Sequence, residues 1–300
     1  MNIHKRDILN LLRIISPKWI KTIYWKLVHS YNGLKVTFRD IQHRIRIYKP
    51  VSVILGPEYL TNLNIIDLII TYDCNLKCFG CNVLCDKAPS REYMSIDQII
   101  KFIKESRGAN KKWERIHILG GEPLTHPDIL KIIDLLIEYK NSFSPKTIIR
   151  LLTNGYGPQA TALLPKIPPS IEVINSHKKS QYNADFTCFT NAPIDFDKYK
   201  SAVFSNACWR TTACGLSLNK YGYYPCSVCG GIDKVFGFDL GRKILPDKVD
   251  AKILKTLDLL CRYCGGFLYS RYKIPPGCAS ATWAKQLQTY KTNKPLLTPY

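Results

Sequence analysis

The chain has 300 residues, 46% hydrophobic and 22% charged, and its 43 Lys and Arg against 23 Asp and Glu give a formal net charge of +20. Such values suit a soluble globular protein with one larger and one smaller unit; no stretch approaches the ~20 apolar residues of a membrane span, and Met1 to Arg13 lack an apolar secretory core. With no route to an oxidising compartment, the 12 cysteines are expected as metal ligands in a reducing cytoplasm, not as bridges.

The cationic excess favours an anionic partner: a phosphorylated or nucleotide-linked substrate, an acidic peptide, nucleic acid or a membrane surface. The basic residues are spread through the chain, however, and no RNA- or DNA-binding motif is present. A solvated basic surface accounts for the charge somewhat better.

Residues 1–59 read as a basic helical extension. Ile8 to Ile15 and Trp19 to Val28 have helical period, broken at Ser16-Pro17. Trp19, Ile20, Ile23, Tyr24 and Leu27 share a face that suits docking on the chain's own domain better than contact with anionic lipid. From Leu63 onward strand and helix alternate. Ile65 to Ile70 is a buried strand, Ser95 caps a helix through Glu105, Arg115 to Leu119 is a second strand, and Pro127 to Lys140 is a helix. Thr147 to Leu152 and Ile171 to Ile174 are the third and fourth strands, with Phe186 to Phe189 and Ser201 to Phe204 as weaker candidates. Repeated βα units imply a parallel sheet with its site at the carboxyl ends of the strands. Beyond residue 205 cysteine, glycine and tyrosine take over, marking a second unit.

The chemistry is concentrated at those strand ends. Cys74, Cys78 and Cys81 form C-x3-C-x2-C directly after the first strand. Three thiolates on a short loop hold three irons of a [4Fe–4S] cube and leave the fourth open to a ligand, which a fully ligated electron-transfer cluster does not. A zinc loop usually runs C-x2-C with a second ligand pair nearby, and thiols this close rarely reach disulfide geometry. Gly120-Gly121-Glu122-Pro123 leaves the second strand about forty residues later and Thr153-Asn154-Gly155 leaves the third; the latter reads equally well as an ordinary turn.

Together these motifs resemble the radical S-adenosylmethionine (radical SAM) enzymes, over roughly residues 63–270. The resemblance implies that Cys74, Cys78 and Cys81 bind the cluster, and that its open iron takes the amino and carboxylate groups of S-adenosylmethionine. It implies that Gly120, Gly121, Glu122 and Pro123 form the element that holds the methionine moiety, with Glu122 accepting from its ammonium. Phe79 resembles the aromatic that packs near adenine, and Thr153 and Asn154 the polar exit that meets ribose or carboxylate. The implied chemistry is reductive cleavage of the cofactor to a 5′-deoxyadenosyl radical, which takes hydrogen from a substrate. The electron would come from a donor such as flavodoxin or ferredoxin.

A second set of cysteines follows. Cys208 and Cys214 are spaced C-x5-C, Cys226 and Cys229 C-x2-C after Gly222, and Cys261 and Cys264 C-x2-C, with Cys278 behind. The G-x3-C turn with a later C-x2-C resembles the auxiliary-cluster regions called SPASM and twitch domains. The shorter twitch form, with one auxiliary [4Fe–4S] cluster, fits better because the C-x2-C-x5-C run of a full SPASM domain is missing. Cys226, Cys261 and Cys264 are the firmest ligands, with Cys208 or Cys214 as the fourth. A zinc knuckle of Cys226, Cys229, Cys261 and Cys264 has acceptable spacing too. Cys85 and Cys188 read as buried free thiols and Cys278 as unligated.

Of the histidines, His4, His29, His43, His117, His126 and His177, none has ligand spacing. His117 reads as a satisfied core residue, and His177 with Lys178 and Lys179 as a loop facing substrate or solvent. Asp185, Asp195 and Asp197 show no paired-carboxylate logic.

The expected fold is α/β: a partial (β/α)6 TIM-like barrel over 60–205, its last two units reduced, then a twitch/SPASM-like domain over 206–272 and a tail over 273–300. The expected function is a radical SAM oxidoreductase acting on a small polar carbohydrate or nucleotide-sugar type substrate, with the auxiliary cluster as electron acceptor. A peptide-modifying maturase and a non-catalytic iron–sulfur or zinc scaffold are the alternatives.

Overall fold

Ile65–Thr71 (β1) is mostly branched and apolar, interrupted by Asp67, and is buried along its whole length. A strand covered on both faces is what a parallel sheet demands. The computed structural model describes residues 38–183, 188–268 and 279–300. Of these, residues 46–183, 188–268 and 279–300 form one unit, while residues 38–45 are helical and belong to a second.

Three further parallel strands extend the sheet from β1 in chain order: β2 (Arg115–Gly120), β3 (Ile148–Thr153) and β4 (Glu172–Asn175). After the short helix α1 (Lys49–Leu55), the crossovers are α2 (Ile96–Gly108), α3 (Ile129–Phe143) and α4 (Pro158–Leu163). Ser95 caps α2 as its sequence requires. Its hydroxyl accepts from Gln98 N at 3.2 Å while Gln98 Oε1 accepts from Ser95 N at 3.0 Å. Alternate residues of the strands, Ile66, Leu68, Ile116, Ile118, Ile149 and Leu151, pack with Ile99, Phe102, Ile132, Ile133 and Leu136 from α2 and α3. Each such side chain contributes roughly 1.5–3 kcal/mol over its exposed state. The intervening residues of the strands face the other way, and the site lies on that side.

The second half departs from a barrel's sequential order. After α5 (Trp209–Cys214), β5 (Leu216–Asn219) pairs parallel with β1, and β6 (Gly222–Tyr224) turns back antiparallel to it. The sheet order is therefore β4-β3-β2-β1-β5-β6, with β4 and β6 as its edges. Among the described residues neither weak strand candidate becomes a strand. Ser201 to Phe204 makes only a bridge of Ala202 to Tyr48, Phe189 lies in a turn, and residues 186 and 187 fall outside the described residues. Their apolar residues have another destination: Phe189 and Phe204 bury in a second core with Tyr199 and Phe267. Into that core also go α6 (Ser227–Phe236), α7 (Ala251–Leu260) and α8 (Ala281–Thr292), which brings Trp283 to full burial. Trp283 Nε1 donates to Tyr263 O at 2.6 Å. The stretch expected as an unassigned tail thus supplies a core helix.

Candidate active site

Thr71 ends β1 and turns the chain outward, its hydroxyl accepting from Asp73 N at 2.9 Å. The glycine pair of the second strand exit lies directly against this turn. Gly121 N donates to Thr71 O at 2.9 Å, and Glu122 N to Asp73 O at 2.8 Å. A Cβ on Gly120 would stand 2.4 Å from Thr71 O, and one on Gly121 2.1 Å from Asp73 O and 2.9 Å from Cys74 Cβ. Only glycine permits that approach, so the two motifs form one cradle around the cysteine loop.

Cys74, Cys78 and Cys81 are all half-buried free thiols in that loop. They sense one another electrostatically, and Cys74 also senses Glu122. Burial first, then these neighbours, push the Cys74 thiol up to about 12. The Cys85 thiol hydrogen-bonds to Cys81 and draws it down, while Cys85 itself is pushed up. Among the described residues no group of three His, Cys, Asp or Glu side chains suits a single ion. Three thiols on one short loop are the donor set of a cubane cluster with one open corner.

Glu122 is 1% exposed. Its Oε1 accepts from Thr153 Oγ1 at 2.7 Å and Leu124 N at 3.1 Å, and its Oε2 from Asn154 N at 2.7 Å. The carboxylate therefore ties the second strand exit to the third. Asn154 in turn reaches the cysteine loop: its Nδ2 donates to Asn75 Oδ1 at 2.8 Å, and Asn75 Nδ2 donates to Tyr156 O at 2.6 Å. Gly155, at φ +66°, leaves room for the Asn175 side chain. The structure brings Cys74, Gly120, Gly121, Glu122, Thr153 and Asn154 together. Pro123 opens a short 3-10 turn behind them, and Phe79 is half-buried within the cysteine loop. The sequence reading missed Asn75 and Tyr156, whose hydrogen bond spans 81 residues and leaves no local signal.

The later cysteines lie at the ends of α5, α6 and α7. Cys208 and Cys214 bracket α5, Cys226 stands at the N-cap of α6, and Cys261 and Cys264 follow α7. Cys208 senses Cys226, and Cys261 and Cys264 each sense both. Burial is the first cause that raises Cys208, Cys261 and Cys264, and it pushes Cys214 up to about 12. Cys229 Sγ lies 3.5 Å from Cys226 Sγ. Its proton, with the amides of the α6 N-terminus, draws Cys226 down. Cys188 is half-buried, with its thiol 3.4 Å from Thr190 Oγ1, and Cys278 lies outside the described residues.

His117 corrects its reading as a satisfied core residue. Nδ1 bonds Asp67 Oδ1 at 2.8 Å, but the buried Nε2 has no partner. Asp67 is 4% exposed, and burial raises its carboxyl. Register extends this pair into a polar row on the face away from α2 and α3: Ser217, Asp67, His117, Arg150 and Glu172 stand directly opposite one another across β5, β1, β2, β3 and β4. The row opens toward solvent at Arg150, whose Nε lies 2.8 Å from Glu172 Oε2. At its closed end Asp67 has Ser227 beside it, and Cys214 and Cys226 sense its charge. Asp195 has a structural place, accepting from Thr282 N at 3.0 Å at the start of α8; Asp185 is outside the described residues.

Residues 68–175 match the model of the Radical SAM superfamily. The chain thus carries a radical SAM domain, of the class that binds S-adenosylmethionine and an iron–sulfur cluster. It is similar to GTP 3′,8-cyclase of Campylobacter jejuni, 27% identical over 101 residues that cover 33% of this chain and 30% of that protein. A probable GTP 3′,8-cyclase of Methanococcus maripaludis is 42% identical over 67 residues, 22% of each chain. The match therefore spans less than a third of either relative. Among solved structures, BtrN in complex with AdoMet and 2-DOIA aligns over 69% of this chain and 94% of its own, with a TM-score of 0.42 and 13% identity. No helix among the described residues is long and apolar enough to cross a membrane.

Proposed function

We propose that the chain is a radical SAM oxidoreductase acting on a small polar substrate of carbohydrate, aminocyclitol or nucleotide-sugar type, with an auxiliary [4Fe–4S] cluster in its cysteine-rich half. One observation carries this reading: Cys208, Cys226, Cys261 and Cys264 sense one another electrostatically, and Cys226 also senses Asp67 of β1, the strand whose exit loop bears Cys74, Cys78 and Cys81. Asp67, which senses the second group, precedes Cys74 by seven residues, on the order of 20 Å of extended chain. When bound, the cofactor and the two clusters supply a radical that removes a hydrogen atom and a sink for one further electron.

The chain's own residues bind and hold. Gly120 and Gly121 give the backbone close approach to the methionine moiety. A carboxylate has about four acceptor positions, so Glu122, with three filled, keeps one for the ammonium of S-adenosylmethionine. Phe79 is the proposed wall for adenine. Cys208 is preferred to Cys214 as the fourth auxiliary ligand because it senses Cys226 and is sensed by Cys261 and Cys264, whereas Cys214 senses Asp67, Cys226 and Cys208. Loss of a hydrogen atom and an electron from an alcohol leaves one proton to be removed. His117 Nε2 is the acceptor for it, its ring held by Asp67. The Arg150–Glu172 end of the row supports a hydroxyl-bearing substrate, and the basic surface suits an acidic electron donor such as flavodoxin or ferredoxin.

The test is anaerobic reconstitution with analysis of iron, sulfide and zinc, then dithionite and S-adenosylmethionine with detection of 5′-deoxyadenosine. About eight irons per chain with cofactor cleavage is the expected result. Four irons with zinc and cleavage would move the second cysteine group to a zinc knuckle. Absence of cleavage in the loaded protein would overturn the enzyme reading.

A further inference from the structure

The segment after β4 does not behave as a loop awaiting substrate. His177, with φ of 46°, turns it sharply, its N–H bonding Asn175 Oδ1 at 2.8 Å. Lys178 N then donates to Asn154 O at 2.9 Å. The chain next runs along the cysteine loop, where Lys77 N donates to Gln181 O and Phe79 N to Asn183 O, both at 2.8 Å. These two bonds flank Cys78. From the same segment Asn183 Nδ2 lies 3.7 Å from Cys78 Sγ, across 105 residues of sequence.

The orientation of that amide is fixed by its other partner. Asn183 Nδ2 also donates to Ser180 O at 2.8 Å. A carbonyl only accepts and a cysteine ligand is a thiolate, so both neighbours require the NH2 end. A flipped amide would set its oxygen against two acceptors.

We propose that Asn183 is a positioning and tuning residue of the site cluster: its amide N–H donates to the Cys78 thiolate and raises the reduction potential of the cluster held by Cys74, Cys78 and Cys81. The reason is electrostatic. Reduction adds negative charge to the cluster, and a hydrogen bond to a ligating sulfur stabilises the more negative state. The segment that bears Asn183 is itself hydrogen-bonded to the exit of β3 at Asn154. The third and fourth strand exits thus act on the cluster through one connected set of hydrogen bonds. The inference rests on the cluster assignment proposed above, but on no choice of substrate.

The experiment is a potentiometric titration of the reconstituted full chain, followed by electron paramagnetic resonance, for the native protein and Asn183→Leu, Asn183→Asp and Asn183→Gln. The cluster in question is the component whose spectrum changes on addition of S-adenosylmethionine. Iron and sulfide content is measured on every sample. The leucine and aspartate variants are expected to load normally and to show a more negative midpoint, further negative for aspartate. At one fixed potential the leucine variant's ratio of reduced to oxidised cluster falls about tenfold, the effect of one hydrogen bond to a charged group. Glutamine, which keeps the donor, recovers part of the shift. An unchanged midpoint in the loaded leucine variant would overturn the inference. So would failure of that variant to load, because Asn183 would then build the loop without tuning it. If the native chain assembles no cluster that responds to S-adenosylmethionine, it is the proposed function that falls.

Discussion

Glu122 combines two duties that substitution can separate. It is buried and satisfies Thr153 Oγ1, Asn154 N and Leu124 N. Glu122→Ala strands those donors, at a cost of about 1–3 kcal/mol for each group left buried without a partner, so thermal unfolding is expected several degrees lower. Glu122→Gln keeps one accepting oxygen but turns an NH2 toward a donor. It should lose less stability than alanine while binding S-adenosylmethionine more weakly than the native chain, read by calorimetric titration of the reconstituted protein. Equal binding by the glutamine variant would remove Glu122 from the ammonium site and leave it a purely structural tie. The residues of the cysteine triad and the glycine pair were legible because each motif is contiguous in sequence. The Asp67–His117 pair was not, since 50 residues separate them and only strand register sets them opposite. Substitution of His117 by Gln is expected to leave the fold and both clusters in place while slowing substrate oxidation more than cofactor cleavage. Equal slowing of both would argue against a proton-accepting role.

At the scale of elements, β1 to β4 and helices α2 and α3 follow from pattern: a largely apolar run for the buried β1, short branched stretches broken by polar residues for β2 to β4, and a 3.6-residue apolar stripe for the helices. Helix α6 escaped that reading. Its sequence carries Cys229, Gly230 and Gly231 within its first turns, which blurs any stripe and lowers helix propensity. The structure explains the first glycine. A Cβ on Gly230 would lie 2.4 Å from Asn219 Nδ2. That amide cannot swing away, because it donates to Tyr72 OH at 2.8 Å while Asn219 Oδ1 accepts from Tyr221 N at 2.7 Å. At Gly231 the nearest atoms, of Val83, are 3.3 Å away. Alanine gains about 1 kcal/mol of helix propensity at either position, and overpacking costs about 1–3 kcal/mol. Gly230→Ala is therefore expected to lower the unfolding midpoint and Gly231→Ala to leave it nearly unchanged. Equal midpoints would mean that α6 does not press on β5 at Gly230. The return of β5 to the free edge of β1 was equally hidden. A hydrophobic pattern says which face of a strand is buried, but not which neighbour it pairs with.

Over the whole molecule the thiols set how stability depends on pH, and metal loading should reverse part of that dependence. Cys74 and Cys214 are each raised to about 12 by burial, and Cys78, Cys208, Cys261 and Cys264 are raised in the same sense. A thiol whose folded pKa exceeds its unfolded value stabilises the fold fully below the unfolded value, near 8.5. That contribution is lost as pH climbs through the folded value, because the unfolded chain releases its proton first. The metal-free chain is thus expected to lose stability from about pH 9 upward. Cys81 and Cys226, which are lowered by their thiol neighbours, act in the opposite direction and only reduce the slope. Lys234, lowered to about 8 by burial, contributes stability that grows with pH above that value, but it does so with or without metal. Cluster binding requires thiolates and expels these protons on assembly, so the loaded chain has already lost the titration that weakens the empty one. Thermal midpoints measured from pH 8 to pH 10 should fall more steeply for the metal-free protein than for the reconstituted one. Cys214→Ala, which removes one raised thiol outside the preferred ligand set, should flatten the metal-free slope and leave the iron content unchanged. Parallel slopes would show that the buried thiols do not titrate as their surroundings require. A loss of iron in the Cys214 variant would instead make Cys214, and not Cys208, the fourth ligand of the auxiliary cluster.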